Sequence, residues 1–527
     1  MTIHASPRVS RPFSALFVIT SIAACGTLPV DELGNSYPVG DEAPSQEDTT
    51  DWSLQPHGPS DVEGRVAPGA CEQLDCGGQS CTDGICNALS WRAQLSGAYD
   101  GELGGVATTP QGDVVLVGSF TGVMEGPQGP VASAGSHDVF VAKLAWTGEM
   151  LWLQRFGSVG SQRATSVSIA DDGQIVIGGE LEGTMMAGDV TLESAASEDG
   201  FVLVLDQNGQ PRWGHVFGDA IAEDGDLASS EHQTVSAVFV FPDGYIGVAG
   251  AFYGTMRMGE DVHVATGRDG FVAFMQPDGD FRWSRALTGA GDARVTDITG
   301  DADGRIIAAG AFTANLVLDG DIDAADGEDA FAVAFETWGM EAWLQGFGGT
   351  GHDHASSVAV ESDGSIVVAG TFADNLAFGG PTGVIVPGEG GGDAFVARLH
   401  GDDGTYAGAR GFGDGMNQSP GAVSVGPEGD VAVVGWFSGT IDFGIGAMTT
   451  APDGDDAFVA VFDEGGFDTG WSHRYGPGAA QRARAATHRY DGSLVIAGEY
   501  QRAMDFGWGI LGSDDVKRKI FVAAVAP

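Results

Sequence analysis

Four sets of residues have the types and spacing from which chemistry could be built. Asp319-Gly-Asp321-Ile-Asp323, followed by Asp326, Glu328 and Asp329, sets out alternate carboxylates that could converge on Ca²⁺. The EF-hand pattern fails there, because Ala324 stands where the turn glycine belongs and Ala330 where the bidentate glutamate belongs. A solvated acidic loop is the stronger reading, with Ca²⁺ at Asp319, Asp321 and Asp323 the one cofactor to test. His352-Asp-His354 supplies two imidazoles, and a transition metal would need a third ligand such as His232, so polar loop residues are the simpler reading. Cys71, Cys76, Cys81 and Cys86 are evenly spaced in a glycine-rich segment. They read as two disulfides with three possible connectivities, since zinc sites favour paired CxxC spacings and reduced thiolates. The fourth set is an acid two residues before Phe, at Asp138, Asp199, Asp269, Asp329, Asp393 and Asp456. Recurrence in six units argues for capping of backbone N–H groups beside the Phe. No Gly-x-Ser-x-Gly elbow, phosphate loop or HExxH appears, so no enzymatic activity is expected.

The acid column is one of several that run through the chain from Trp91 onward. Trp91, Trp152, Trp213, Trp283, Trp343 and Trp471 each precede by four residues an apolar position: Leu95, Phe156, Phe217, Leu287, Phe347 and Tyr475. One further unit keeps Phe412 in register but has Gly408 at the Trp position, and the last unit has Lys519 before Phe521 instead of an acid. Gly118, Gly179, Gly250, Gly310, Gly370, Gly435 and Gly498 each close a short apolar run. A period of 60 to 70 residues of this kind marks a repeat architecture. Each unit reads as four strands, with runs such as Val114-Val-Leu-Val117 apolar on both faces, as stacked sheets require. The expected fold is all-β, a seven-bladed β-propeller over residues 91–527. The first repeat opens with a lone outer strand, Trp91 to Leu95, and the last stops at Ile520 to Ala524 without one. The N-terminal strand is therefore expected to complete the last blade and remove its free edge.

The combination of Trp, Phe-Gly, an Asp-Gly turn, a strand ending as in Gly364-Ser-Ile-Val-Val-Ala-Gly370, and Asp393-Ala-Phe-Val-Ala397 resembles the SBBP repeat of bacterial surface and secreted proteins. The hairpin ending in Gly-x-x-x-Trp is also similar to the docking motif of quinoprotein propellers. The resemblance implies a propeller and an envelope or extracellular setting, with no agreed reaction.

The first 90 residues bear on location. Arg8 and Arg11 precede an apolar stretch, Phe13 to Ala24, too short for a membrane span and suited to a signal peptide. Ile22-Ala-Ala-Cys25 resembles a lipobox, which implies lipid attachment at Cys25 and an envelope, outer-membrane or cell-surface location. Residues 26–70 hold several prolines and acids and few large apolar side chains, and read as a disordered tether, with residues 71–90 a small cysteine-rich knob. As a coil the tether spans roughly 35 to 40 Å. With 24 basic against 73 acidic residues the formal charge is −49, which disfavours nucleic acid and anionic lipid surfaces.

Connections within each unit are unequal. Turns such as Asp171-Asp-Gly173 and Gln207-Asn-Gly209 are minimal, whereas segments such as Gly183-Thr-Met-Met-Ala-Gly188 and Asp219 to Gln233 read as long loops, where binding residues usually sit. The expected function is a membrane-anchored monomeric binding or scaffold module that engages an envelope protein or glycan through the long-loop face. The alternatives are a propeller enzyme of quinoprotein or polysaccharide-cleaving type with its site in the central channel, and an outer-membrane assembly factor.

Anchoring is testable directly. Cys25→Ser should convert a membrane-bound protein into a soluble exported one, since no other segment is long and apolar enough to hold a bilayer. A variant that remains with membranes after a high-salt wash would show that lipid at Cys25 is not the anchor.

Overall fold

A computed structural model describes residues 81–526, apart from 83–84, 87–88, 219–231, 380–383, 451–453, 465–466, 477–479, 507–509 and 513–516. Cys25, the tether, Cys71 and Cys76 lie outside the described residues. Cys81 and Cys86 are Cα partners in a two-stranded antiparallel pair, Cys81–Thr82 with Ile85–Cys86. From Leu89 onward the described residues are all-β and contain seven sheets with a four-strand antiparallel order. Six take their strands consecutively. The seventh joins Gln481–His488, Leu494–Tyr500 and Lys519–Val525 to the N-terminal strand Leu89–Gln94, in register Trp91 to Ala524 and Gln94 to Phe521. We number the sheets 1 to 7 from Ser96.

Period-two alternation explains why the sheets stack. Along Val114-Val-Leu-Val117, Val114 and Leu116 enter a core shared with sheet 7, while Val115 and Val117 enter a core shared with sheet 2. Seven such cores are present, each built from two neighbouring sheets, and the last joins sheet 7 to sheet 1. Each is centred on the Phe that follows the acid column, such as Phe140, Phe201 or Phe331, all fully buried. A ring of sheets that share cores in sequence is a β-propeller.

The Trp column fixes the outer radius. Trp91, Trp213, Trp283 and Trp343 donate their indole N–H to Trp146, Pro277, Thr337 and Gly401 carbonyls, each in the turn between third and fourth strands of the next sheet. The ring lies against a turn glycine. At Gly339 φ is +84° and a Cβ would come within 2.7 Å of Trp283, so both backbone and space require glycine. Where sheet 5 lacks its Trp, the next turn compensates. Phe467 lies where a Cβ on Gly408 would be, 2.6 Å from its Cε2, and Arg410 Nη1 donates to the Phe467 carbonyl at 2.8 Å.

Two polar columns are buried between the sheets. Asp138 accepts the Ala134 N–H and an Arg155 N–H, and Asp393 accepts the Glu389 N–H. Opposite lies a glutamine column that the sequence reading missed: Gln162, Gln233, Gln418 and Gln481, each fully buried. All four donate to second-strand or hairpin carbonyls, at Glu182, Tyr253, Ser438 and Ala503. Sheet 5 places Asp353 there instead, accepting the Gly349 and Ala373 N–H groups.

The segments read as long loops between second and third strands are β-hairpins. In sheet 2 the second strand runs Ile175–Ala187 and the third Val190–Leu205, so Gly183 to Gly188 lies at a hairpin end. Met185, Ala187 and Leu192 alternate into the core between sheets 1 and 2 while Met186 is exposed, which is strand periodicity rather than loop composition. Asp219 to Glu231 lies outside the described residues, and Gln233 begins the first strand of sheet 3.

Two predictions follow from this packing. Gly408→Trp should overpack against Phe467 and destabilise by about 1–3 kcal/mol. Adding Phe467→Gly should recover much of that, and strictly additive effects in the double-mutant cycle would rule out the exchange of roles. The second concerns pH. Burial pushes the Asp353 carboxyl up to about 7 and the Asp269 carboxyl up to about 6, so between pH 4 and 7 the folded state holds protons that the unfolded chain has lost. Stability should be greatest at the acid end of that window and fall as pH rises through it. Repulsion within a −49 chain has the same sign, so the discriminating measurement is the slope of melting temperature against pH in Asp353→Asn, which should be shallower than in the parent. Identical slopes would count against Asp353 as a source.

Candidate functional site: the axial channel and its charged mouth

The first strands of all seven sheets surround one axial cavity of about 270 Å³. Each carries a β-bulge at the same place, opposite the glycine column, and the extra residues are Gly104, Thr165, Ser236, Thr296, Ser356, Gly421 and Arg484. All seven line the cavity. A bulge bends the strand and re-aims a side chain, which is what convergence on an axis demands. Hydroxyls stitch neighbouring strands at this radius: Thr165 donates to the Val235 carbonyl at 2.6 Å and Thr296 to the Ala355 carbonyl at 2.8 Å. Asp297, half-buried, accepts from Ser357 Oγ at 2.7 Å and the Val358 N–H at 2.9 Å, and desolvation raises its carboxyl pKa.

Two residues before each bulge the first strands present Glu102, Arg163, Thr234, Arg294, His354, Ser419 and Arg482. This ring faces the end of the channel where the hairpins lie. Arg163 reaches Glu102, Glu180 and Glu198 at 3.9, 3.3 and 3.5 Å, and Thr234 donates to Glu180 at 3.3 Å. Arg294 forks onto Glu328, holding that carboxyl below its ordinary value despite burial. Arg482 pairs with Asp455 at 2.6 Å and stacks 4.3 Å over Trp436. Arg518 pairs with Glu102 and Asp100 across the closing junction. In a chain with 24 basic residues, this concentration of arginine is the main departure from an acidic surface. The ion pairs are partly exposed, so their stabilising contribution is small.

The residues singled out from sequence fall differently. His354 belongs to the ring, its pKa lowered by burial and by Arg294, while His352 is exposed and His232 pairs with Glu198 at 3.4 Å. Asp321 and Asp323 open the third strand of sheet 4, paired with Val317 and Asn315. The turn before them is organised by Glu341, which accepts the Asp319 and Gly320 N–H groups at 3.0 and 3.1 Å. Among the described residues no group of three or more His, Cys, Asp or Glu is gathered to hold a metal. The Asp319–Asp323 segment is thus a capped hairpin turn that does not bring its carboxylates together.

Two Ser–His–Asp groupings occur among the described residues: Ser424 Oγ lies 3.0 Å from His488 Nδ1, whose Nε2 lies 3.1 Å from Asp430 Oδ2, and another sits beside a cavity of about 640 Å³ in sheet 3. Ser284 Oγ lies 2.8 Å from His263 Nε2 and 3.1 Å from Asp261 Oδ2. Its wiring is not that of a nucleophile. The carboxylate contacts the serine instead of orienting the imidazole, and Ser284 is 4% exposed, so the group ties the hairpin to the fourth strand.

No protein-family model and no curated protein sequence matches the chain. Among solved structures it is similar to the Dos1 propeller, at 8% identity over 84% of this chain and 95% of that one, with a TM-score of 0.38. Virginiamycin B lyase from Staphylococcus aureus shows 9% identity over 82% and 98%, with a TM-score of 0.38. The β-propeller domain of the Trilobed protease from Pyrococcus furiosus shows 10% identity over 81% and 94%, with a TM-score of 0.39. At such values the likeness concerns the fold alone, and the propeller assignment rests on the sheets and cores of the chain itself.

Proposed function

We propose that this chain is a seven-bladed propeller of the SBBP-repeat type, exported, lipid-anchored at Cys25, and acting as a binding module for an envelope protein or glycan. The observation that supports this reading is the composition of the hairpin face. Of fifteen exposed large apolar residues among those described, ten lie on the hairpins or the connections between sheets: Val159, Met186, Tyr253, Val262, Val264, Val317, Val384, Ile385, Met416 and Ile510. Inside them sits the arginine–carboxylate ring. An apolar rim around a charged, polar centre is a recognition surface for a partner that offers both character types. The propeller supplies rigidity, because the hairpins carrying the rim are anchored in the inter-sheet cores by their alternate residues.

The test is retention on immobilised envelope glycan and on an immobilised envelope-protein fraction. Val264→Asp with Ile385→Asp should reduce retention at least tenfold while leaving the melting temperature within a degree or two. Arg163→Gln should weaken binding and reduce its salt dependence. Trp338→Ser, at an exposed position on the opposite face, is the control and should bind like the parent. Unchanged retention of all three variants would remove the hairpin face as the binding surface.

A further inference from the structure

Five of the six column tryptophans lie on a turn of the next sheet, and the sixth cannot. The five meet a glycine in the turn that joins third to fourth strand there, as Trp91 does on Gly148 and Trp152 on Gly209. Trp471, on the fourth strand of sheet 6, packs toward sheet 7, whose third and fourth strands are Lys519–Val525 and Leu89–Gln94. Those two strands are far apart in sequence, so no turn joins them. Closure by the N-terminal strand therefore leaves this one junction without the element that covers the indole at the others. The Trp471 indole N–H makes no hydrogen bond among the described residues, and it is not sealed from solvent.

A cavity of about 440 Å³ occupies the place of the missing turn, a size common among small-molecule sites. Trp471 and Tyr490 both line it, the tyrosine 77% exposed, together with the buried side chains of Val461 and Leu494. Carboxylates supply the polar part of the wall, Glu428 and Asp430 among them. Asp430 is held in position by His488, whose other nitrogen is spent on Ser424. A turn in this place would offer the indole a flat apolar contact and an acceptor for its N–H. We propose that the cavity binds a neutral sugar residue instead, its C–H face against the Trp471 and Tyr490 rings, one oxygen accepting the indole N–H, and hydroxyls donating to Asp430 and Glu428. Aromatic rings with one wet polar edge suit a ligand of that mixed character. An acidic sugar is disfavoured, because the carboxylates repel it. A simple cation has no acceptor to offer the indole, which is a donor only. The site lies on the tight-turn face between sheets 6 and 7 and does not depend on the reading of the hairpin face.

Saturation-transfer NMR on the full chain tests this with the methyl glycosides of glucose, galactose, mannose and N-acetylglucosamine, and with methyl glucuronide and tetramethylammonium as parallel arms. At least one neutral glycoside should give a saturable signal, strongest on the protons of one ring face, and the glucuronide none. Trp471→Phe keeps a ring and loses the donor, so affinity should fall about fivefold. Tyr490→Ala, at an exposed position, should weaken binding by about the same factor with an unchanged melting temperature, which keeps the test decisive if the Trp471 variant folds poorly. Val264→Asp with Ile385→Asp should bind the glycosides like the parent, which separates this site from the hairpin face. Silence from all four glycosides would overturn the assignment, including the case in which residues preceding Leu89 cover the indole. So would undiminished binding by both ring variants, or tighter saturation by the glucuronide or by tetramethylammonium.

Discussion

The indole of one sheet lying on a turn that has no side chain in the next sets the spacing of the entire ring. A sheet on its own would bury only one face, and its second-strand valines would remain in water on the other. Bringing the next sheet close enough to cover them requires a contact at the outer radius that tolerates no extra atom. Trp283 over Gly339 and Trp343 over Gly404 supply it, with one hydrogen bond each to fix direction. The inner radius is set by different means, through bulged strands whose hydroxyls bond the next strand's backbone. With both radii fixed, the angle between sheets is no longer free, and the ring closes when the seventh core forms between sheets 7 and 1.

Charge is distributed unevenly on this frame. Acids occupy the tight turns, where Asp172, Asp206, Asp301 and Asp403 each accept backbone N–H groups two residues on and hold the turn in shape. Part of the net charge is therefore a by-product of turn chemistry. The arginines have a different logic. They gather at the channel entrance on the hairpin side, each facing a carboxylate from a neighbouring strand or sheet, so that opposite charges interleave there.

Much of the architecture was legible because it repeats. The Trp, Gly and Asp columns recur at nearly every unit, and the strands between them are apolar on both faces. The bulge was equally present in the sequence, as a small pair before an aliphatic residue in Leu103-Gly-Gly-Val106, Ala164-Thr-Ser-Val167 and Ala355-Ser-Ser-Val358, and was passed over because small residues attract no chemical reading. The glutamine column is interrupted by Gly101, Ala293 and Asp353, which hides it from a search for one residue type. Asp353 itself was screened by the two histidines beside it, although it is the buried member of the three. The hairpins were read as loops because glycines such as Gly183 and Gly188 break the apolar pattern, yet those glycines are a bulge and a turn within a continuous pair of strands. Trp471 looks like its five counterparts in the sequence, since what sets it apart is the turn that fails to cover it.

Closure by the N-terminal strand has a consequence for the order of assembly. Leu89–Gln94 pairs with Lys519–Val525, and Tyr99 awaits the Lys519 ammonium from 420 residues further along. At ordinary elongation rates of about 5–20 residues per second, that separation is on the order of 20 to 80 seconds. Through this interval the first strand must stay out of the wrong sheets, although its alternating pattern would suit the outer edge of any of them. Sheets 1 to 6 can each form locally from consecutive strands, so the molecule is an open arc of finished units before it is a ring. The last step resembles fastening a clasp, and a chain released before its final strand is complete would carry two mismatched ends into solution.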